Sequence, residues 1–222
     1  MVITQVYVED FEEQEYGDES IVDLNPYMEL AFPVIGHNLP IDHGYELYSA
    51  LAHKQAQLHD WQDTSINTIS GKLDRNKRNE INLSAHSLLL IRLPATKVPL
   101  VYSFVGKFLT IGNHNIRLGI PQMDFLKPKS KLRSHLVVIR NYQEPDTFLI
   151  AAKKQLAERA IQADVKLITT KDGIPKRKTI KIKEYTLVGF GLQLTNLSEE
   201  DSLTLQERGI GGKQKMGCGV FV

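Results

Sequence analysis

The hydrophobic and polar positions in the first half of the chain alternate between strand-like and helix-like periods. A run of large apolar residues, Leu24–Val34, predicts a strand, and apolar residues at helical spacing from about His43 to Trp61 predict a helix. The elements predicted after them are two strands, a helix and a strand: Ile66–Leu73, Ser87–Leu93, Val98–Leu109 and Asn115–Leu126. The predicted order is therefore β-α-β-β-α-β.

The second half repeats this order of elements without repeating the sequence. Its predicted helix begins at Pro145, a favourable first-turn residue, and runs to about Gln162. The turn Asp172-Gly173-Ile174-Pro175 predicts a hairpin between two of its strands. The remaining predicted elements are the strands Leu132–Tyr142, Val165–Thr170, Thr179–Glu184, Tyr185–Leu194 and Cys218–Val222, and a short helix from Ser198 to about Glu207.

This order predicts an α+β fold made of two tandem ferredoxin-like (RRM-like, β-α-β-β-α-β) units. The N-terminal unit is expected over residues 24–128, and the C-terminal unit over residues 129–222. Residues 1–23 form an acidic leader, which we interpret as either an edge strand or a loose arm.

The amino-acid composition indicates the class of protein and its expected cellular location. Hydrophobic residues make up 42% of the chain and charged residues 24%, as in folded water-soluble proteins. Cys218 is the single cysteine, so no intrachain disulfide can form, and we expect a cytoplasmic location. No apolar run approaches the roughly 18 residues of a membrane span, and a secretion signal is not recognisable. We therefore expect no membrane partner.

The formal net charge of +1 hides an uneven distribution along the chain. Residues 1–23 contain eight acidic residues and no Lys or Arg, whereas the remainder carries 27 Lys and Arg against 18 acidic residues. A basic excess of this kind favours a polyanion as partner, although a solvated surface produces the same count.

A glycine-rich run near the carboxy terminus is the most specific pattern in the sequence. It reads Gly209-Ile210-Gly211-Gly212-Lys213-Gln214-Lys215-Met216-Gly217-Cys218-Gly219. Such a backbone can approach a phosphate closely, with amides and lysines as donors, or it can form a merely structural turn. A dinucleotide-binding loop is disfavoured, because here the glycines follow a predicted helix and precede a strand.

The run fits the pattern G-h-G-x5-G-h-G, where h is apolar, and resembles the carboxy terminus of the RAMP superfamily of CRISPR-associated proteins. Within it, the chain looks like the pre-crRNA processing endoribonucleases, the "Cas-six" family, and Leu39-Pro40-Ile41-Asp42-His43-Gly44-Tyr45 is similar to a compact branch. The resemblance implies cleavage of CRISPR repeat RNA without metal or other cofactor. It also implies retention of the crRNA 3′ stem-loop and partners among the subunits of a CRISPR effector complex.

The resemblance implies a catalytic histidine in the first strand–helix loop, which His37 and His43 flank. We expect His43 in this role, because it lies at the predicted helix start beside free amides that attract a phosphate. His37 is the second candidate, and Tyr48 is a possible hydrogen-bond donor despite its place on the apolar helix face. Surface or packing roles are expected for the other histidines, His53, His59, His86, His114 and His135. No pattern of zinc ligands is present.

Basic residues in the second half are the expected RNA contacts. They lie on the predicted helix, beside the hairpin turn and around the glycine-rich run: Lys153, Lys154, Lys176, Arg177, Lys178, Lys181, Arg208, Lys213 and Lys215. The glycines expected to approach the RNA backbone are Gly209, Gly211, Gly212 and Gly217. Because the aromatic pattern of single-strand readers is absent, we expect hairpin RNA held by its phosphates.

These features predict an endoribonuclease in which the RNA 2′-OH attacks the adjacent phosphate. The products would be a 2′,3′-cyclic phosphate and a 5′-OH, with His43 transferring the proton and Arg208, Lys213 or Lys215 stabilising charge. One rival hypothesis is a non-catalytic RAMP-type crRNA-binding subunit of a CRISPR surveillance complex. Another is an unrelated RNA-binding adaptor with tandem ferredoxin-like units.

Overall fold

The computed structural model describes residues 25–222, which form two α+β units in succession. The first unit contains the strands β1 (Tyr27–Ile35), β2 (Asn38–Pro40), β3 (Ser65–Ile66), β4 (Lys72–Leu73), β5 (Glu80–Asn82), β6 (Leu88–Pro94), β7 (Phe108–Ile111), β8 (His114–Leu118) and β9 (Gln122–Phe125), and the helices α1 (Gly44–Lys54) and α2 (Val98–Tyr102). The second contains β10 (Lys131–Val137), β11 (Asp164–Leu167), β12 (Arg177–Ile182), β13 (Tyr185–Thr195), α3 (Pro145–Ala157) and α4 (Glu199–Arg208). Short 3-10 helices cover Ala56–His59, Ala95–Lys97 and Gln214–Met216. The predicted acidic leader lies outside the described residues.

The main sheet of the first unit runs in the order β9-β1-β6-β3, all antiparallel. Alternate residues of β1 point into the core, where Leu30 and Phe32 are fully buried together with Leu47 and Leu51 of α1. The hairpin of β7 and β8 extends this sheet at the far end of β1, and β2, β5 and β4 form a small separate sheet. The inner face of the sheet therefore carries α1, which positions the candidate site.

In the sheet of the second unit β13 has β10 on one side, and β11 and β12 on the other, where they pair with successive stretches of β13. Val222 exchanges both backbone hydrogen bonds with Arg133 of β10 at 2.9 Å, so the predicted last strand reduces to a short pairing at this edge. The core lies between the sheet and the helices α3 and α4, with Phe148 and Phe190 at its centre. Ser198 caps α4, since its hydroxyl accepts from Asp201 N–H at 3.0 Å.

Some predicted elements are wrong in extent or type. The predicted helix Val98–Leu109 stops at Tyr102, because Gly106 turns the chain at a φ of +73° and Phe108–Ile111 then alternates as strand β7. The predicted strand Asn115–Leu126 breaks into β8 and β9. The predicted hairpin at 172–175 forms but is short: Thr170 N–H donates to Ile174 O at 2.8 Å and Lys176 N–H to Ile168 O at 2.9 Å, while β11 and β12 pair with β13. We call β12 and β13 the basic hairpin.

Arg92 of β6 joins the two units through a buried guanidinium. It is 3% exposed, pairs with Glu29 at 2.6 Å, and donates to the carbonyl oxygens of Gln206 and Phe221 at 3.3 and 2.5 Å. Because a buried charge needs several partners, these contacts fix the units against each other. Among the described residues, no helix has the length and apolar character that crossing a membrane requires.

Candidate active site and nucleic-acid interface

A tyrosine and a histidine face each other where α1 is followed by the 3-10 helix Ala56–His59. Tyr48 Oη lies 2.6 Å from His59 Nδ1, and the two rings meet edge to face with centroids 5.5 Å apart. Burial raises the pKa of Tyr48, so its hydroxyl stays protonated and can donate to Nδ1. His59 itself is exposed. In this arrangement Nε2 of the imidazole is the atom available to a ligand.

Lys215 of the glycine-rich run reaches the same place from the second unit. Its Nζ donates to the backbone oxygens of Leu58 and His59 at 3.0 and 2.7 Å, and lies 5.8 Å from the centroid of the Tyr48 ring. Burial lowers the pKa of Lys215. A cation, a phenol and an imidazole thus meet across the boundary between the two units.

Tyr48 and Lys215 line a cleft of about 430 Å³, which we call the basic cleft, and His59 lies beside it in contact with both residues. Its lining residues are Tyr48, Trp61, Gln62, Thr64, Arg159, Arg208, Gly211, Gly212, Lys213, Gln214, Lys215 and Met216. Four of them are Lys or Arg and none is Asp or Glu, so the cleft attracts anions. The structure therefore brings together the predicted residues Tyr48, Arg208, Lys213 and Lys215.

His43 occupies a different environment from the one expected. Its side chain is 1% exposed, Nδ1 donates to Pro40 O at 2.7 Å, and Nε2 accepts from Ile69 N–H at 3.0 Å. Burial lowers the pKa of His43, which favours the neutral ring that this pattern requires. With both nitrogens occupied inside the protein, His43 holds the loop after β2 against residue 69 and offers no atom to a phosphate.

Several other predicted residues lie away from the basic cleft. His37 is exposed in the turn between β1 and β2, and it does not line the basic cleft. Lys153 and Lys154 lie on the exposed side of α3, where Lys154 is 4.0 Å from Glu158 in a surface pair. The structure thus gives these three residues no part in the cluster around Tyr48.

The glycine-rich run does not present its glycine amides to a ligand, contrary to the expectation that they cradle a phosphate. Each glycine N–H donates within the protein at 2.7 to 3.3 Å. The acceptors are Leu205 O for Gly209, the side chain of Gln155 for Gly211, Val138 O for Gly212, Gln214 O for Gly217 and Leu136 O for Gly219. The lysines between the glycines, rather than the amides, are the groups that face the basic cleft.

The glycines serve instead to bring two stretches of backbone together. A Cβ atom on Gly209 would lie 2.1 Å from Gly219 O, and one on Gly219 would lie 2.0 Å from Ile210 O. Both residues also have a positive φ, of +51° and +68°. The two G-h-G segments therefore cross in contact and fix the loop that carries Lys213 and Lys215.

The basic hairpin exposes Lys176, Arg177 and Lys181 at the surface of the second unit. Lys178 differs, because it is half-buried and its Nζ lies 2.7 to 2.8 Å from the ring nitrogens of His135. The backbone of Lys181 donates to the Asp42 carboxylate at 2.7 Å, so the hairpin contacts the first unit.

Metal binding and cysteine chemistry find no support in residues 25–222. No group of three or more His, Cys, Asp or Glu side chains lies close enough together in this part of the chain to hold an ion. Cys218 is fully buried, and burial raises the pKa of its thiol to about 12, which makes it a poor nucleophile.

The sequence analysis placed His59 among the surface or packing histidines and did not assign Arg159 an RNA contact. The spacing of 11 residues between Tyr48 and His59 spans the end of one helix and the whole of another, so no single period marks the pair. Arg159 follows α3 and meets the glycine-rich run only in the folded protein. The sequence shows that these basic residues are present, but it does not show that they lie together in the folded protein.

Comparisons with known proteins bear on the family of this chain. The family described as Cas6 Crispr matches residues 28–222. A CRISPR-associated endonuclease Cas6 from Myxococcus xanthus (strain DK1622) is 31% identical over 200 residues, which cover 90% of this chain and 83% of that protein. The similarity therefore spans both units.

Solved structures share the fold at lower identity. The product of a Cas6-related gene from Pyrococcus furiosus superposes with a TM-score of 0.62 at 16% identity, covering 89% of this chain and 97% of that one. A CRISPR associated protein Cas6 gives a TM-score of 0.60 at 14% identity, covering 88% and 98%. The predicted α+β fold with tandem ferredoxin-like units is confirmed.

Proposed function

The chain belongs to the Cas6 family of CRISPR-associated proteins, and we propose on that basis that it is an endoribonuclease that cleaves CRISPR repeat RNA in precursor transcripts. The observation that carries the proposal is the Tyr48–His59 pair, which lies beside Lys215 at a cleft lined by cations. An imidazole exchanges protons near neutral pH, and the cations suit a phosphodiester. The cluster thus combines the two requirements for cleaving RNA.

The proposed reaction uses the nucleophile that RNA itself carries. The 2′-OH loses its proton and attacks the adjacent phosphorus, while the bond to the 5′ oxygen of the next nucleotide breaks and that oxygen takes up a proton. The products are a 2′,3′-cyclic phosphate and a 5′-OH, and the proposed reaction does not require a metal ion. A protein that runs this reaction must supply proton transfer and charge stabilisation.

His59 is the residue proposed for proton transfer, in place of His43 and His37. Its side chain is exposed beside Tyr48 and Lys215 and Nε2 has no hydrogen-bond partner among residues 25–222, whereas both nitrogens of His43 are occupied inside the protein. As an imidazolium the ring donates from Nδ1 to the Tyr48 oxygen and can release its Nε2 proton to the leaving oxygen, which leaves a neutral ring with its proton on Nδ1. Tyr48 therefore sets both the orientation of the ring and its tautomer.

In the proposed reaction, the cations of the basic cleft stabilise the negative charge that develops on the attacked phosphate. Lys215 is the nearest to the pair, and Arg159, Arg208 and Lys213 line the same cleft. Such preorganised cations stabilise a developing negative charge more strongly than water does. The exposed bases of the basic hairpin would hold the repeat stem-loop by its phosphates, and retention of the product would bring the protein into a CRISPR effector complex.

The first test of this function is cleavage in the absence of divalent metal. Repeat RNA incubated with the protein in excess EDTA should be cut at the same rate as without EDTA, and should leave a cyclic phosphate on the upstream product. Deoxyribose at the attacking position should abolish cleavage, because the nucleophile is removed. Loss of cleavage in EDTA, or cleavage of the deoxy substrate, would contradict the proposed reaction.

Salt dependence tests the role of the basic hairpin. Replacing Lys176 and Arg177 together by Ala should lower the slope of log binding constant against log salt by roughly 1.5, since each lost phosphate contact removes about 0.7–0.9. The matched control replaces Lys153 and Lys154 on α3, which should leave the slope unchanged. Equal slopes for wild type and both variants would show that these bases of the hairpin are only a solvated face.

A further inference from the structure

The acidic leader, residues 1–23, joins the described part of the chain close to the basic cleft. The side-chain amide of Asn25 donates to Thr96 Oγ1 at 3.1 Å, and its oxygen accepts from the Thr96 N–H at the same distance. The next residue, Lys97, holds its Nζ 5.6 Å from the ring centroid of Trp61, which lines the basic cleft. The residues that follow the leader are therefore held beside this cleft.

The first residue of β1 also lies within reach of the charges at the basic cleft. Burial raises the pKa of the Tyr27 hydroxyl, the nearby carboxylates of Asp63 and Glu207 raise it further, and the charge of Arg208 lowers it. Arg208 is one of the four cations that line the cleft. Because charges at a protein surface interact over only about 10 Å at ordinary salt, the start of β1 is near these cations.

The charges of the leader and of the basic cleft are opposite. The leader contains eight acidic residues and no Lys or Arg, whereas the residues that line the cleft include four Lys or Arg and no Asp or Glu. The chain from Glu15 to Asn25 can span up to about 35 Å, so length does not prevent the acidic residues from reaching the cleft. Carboxylates along such a segment can bind the same cations as the phosphates of RNA.

We propose that the acidic leader binds in the basic cleft when RNA is absent and competes with RNA for it. The inference rests on the proposed function, since it takes RNA to be the ligand that the leader excludes. It goes beyond that function, because it makes the leader an internal inhibitor of the site. The family match begins at residue 28, so the leader lies outside the part of the chain that defines the family.

Competition of this kind has a consequence for selectivity. A bound leader lowers the apparent affinity of every RNA in proportion to the fraction of molecules whose cleft is free. An RNA that also contacts the exposed bases of the basic hairpin has additional binding energy with which to displace the leader. The leader therefore favours a stem-loop that reaches both surfaces over a short RNA that contacts the cleft alone.

Fluorescence quenching tests whether the leader lies in the basic cleft. Trp61 is the single tryptophan of the chain, and the single cysteine, Cys218, is fully buried. Gln14→Cys therefore provides one reactive site for a bimane label, which tryptophan quenches at short range. The label should be quenched without RNA, and quenching should be lost at about 1 M salt, where the Debye length is only about 3 Å. Trp61→Phe should also remove the quenching.

Charge removal from the leader tests the competition with RNA. Replacing Glu12, Glu13 and Glu15 together by Gln should abolish the quenching of the label at residue 14. At low salt the same change should tighten binding of the labelled repeat hairpin by about 10-fold, the effect expected when a competitor occupies the cleft about nine-tenths of the time. Fluorescence anisotropy measures this affinity, and the gain should vanish at high salt.

The matched control replaces Glu144, Glu199 and Glu200 by Gln, which makes the same change in net charge at three exposed residues outside the basic cleft. It should keep the quenching and change RNA affinity by less than about 2-fold, because distant charges are screened.

The proposal is overturned if the label is equally bright with and without Trp61, if the leader variant keeps the quenching, or if the control variant gains as much affinity as the leader variant. Quenching is measured without RNA. Charge-dependent quenching in a protein that cleaves no RNA would therefore count against the nuclease function and leave the bound leader standing.

Discussion

Single-turnover cleavage of repeat RNA is expected to fall by at least about 100-fold in His59→Ala, the usual contribution of one general acid–base group. The variant removes the imidazole that Tyr48 orients at 2.6 Å, and it leaves every lysine and arginine of the basic cleft in place. Affinity for the hairpin should therefore hardly change. Quenched-flow cleavage with enzyme in excess, together with an equilibrium binding titration, separates the two effects.

His53→Ala is the matched control for that result, because His53 is also an exposed histidine but forms no hydrogen bond with Tyr48 or Lys215. It should cleave at the wild-type rate. Tyr48→Phe keeps the ring and removes the hydroxyl that fixes the imidazole, so its loss of rate should be smaller than that of His59→Ala. Normal cleavage by His59→Ala would exclude His59 from the reaction, and inactive wild-type protein would favour the non-catalytic RNA-binding subunit.

Gly209→Ala should lower the free energy of unfolding by more than about 3 kcal/mol, which is a large loss for one methyl group. The added Cβ would lie 2.1 Å from Gly219 O, and the residue would have to keep a φ of +51°. Neither atom can move away cheaply, because both belong to backbone segments that cross. Urea denaturation of the wild type and the variant measures the difference.

Alanine substitutions at two other glycines distinguish the effect of the steric clash on stability from the effect of backbone strain. Gly212→Ala meets nothing within 4 Å and has no positive φ, so it should change stability little. Gly173→Ala also meets nothing within 4 Å but sits at a φ of +78°, and should cost about 1 kcal/mol. A loss at Gly209 no larger than that at Gly173 would show that the two G-h-G segments separate without cost.

The sequence predicted the fold well wherever one short segment contained the whole signal. β1, α1 and α3 were each marked by their own periodicity, with a capping or first-turn residue at two of the helices. The prediction failed for Val98–Leu109, where the apolar positions are nearly continuous and mark no single period. The true boundary depends on Gly106, whose left-handed turn is held by a hydrogen bond from its N–H to Leu118 O of β8 at 2.8 Å.

The site was harder to predict because its members are far apart in sequence. The motif around His43 is local and was recognised, yet its histidine is held inside by Pro40 and Ile69. Tyr48 and Lys215 were identified one at a time, and nothing in the chain indicates that they meet at His59. Burial and long-range contact, rather than residue type, decided which histidine is exposed beside the basic cleft.

The contact of Lys215 with the backbone oxygen of His59 joins residues that lie 156 positions apart in the chain. A ribosome needs roughly 10–30 s to add that many residues. During this time a nascent chain carries Tyr48 and His59 but lacks the lysine and most of the other cations of the basic cleft. In the proposed nuclease, the cations assigned to charge stabilisation therefore join the Tyr48–His59 pair only after the second unit has been synthesised.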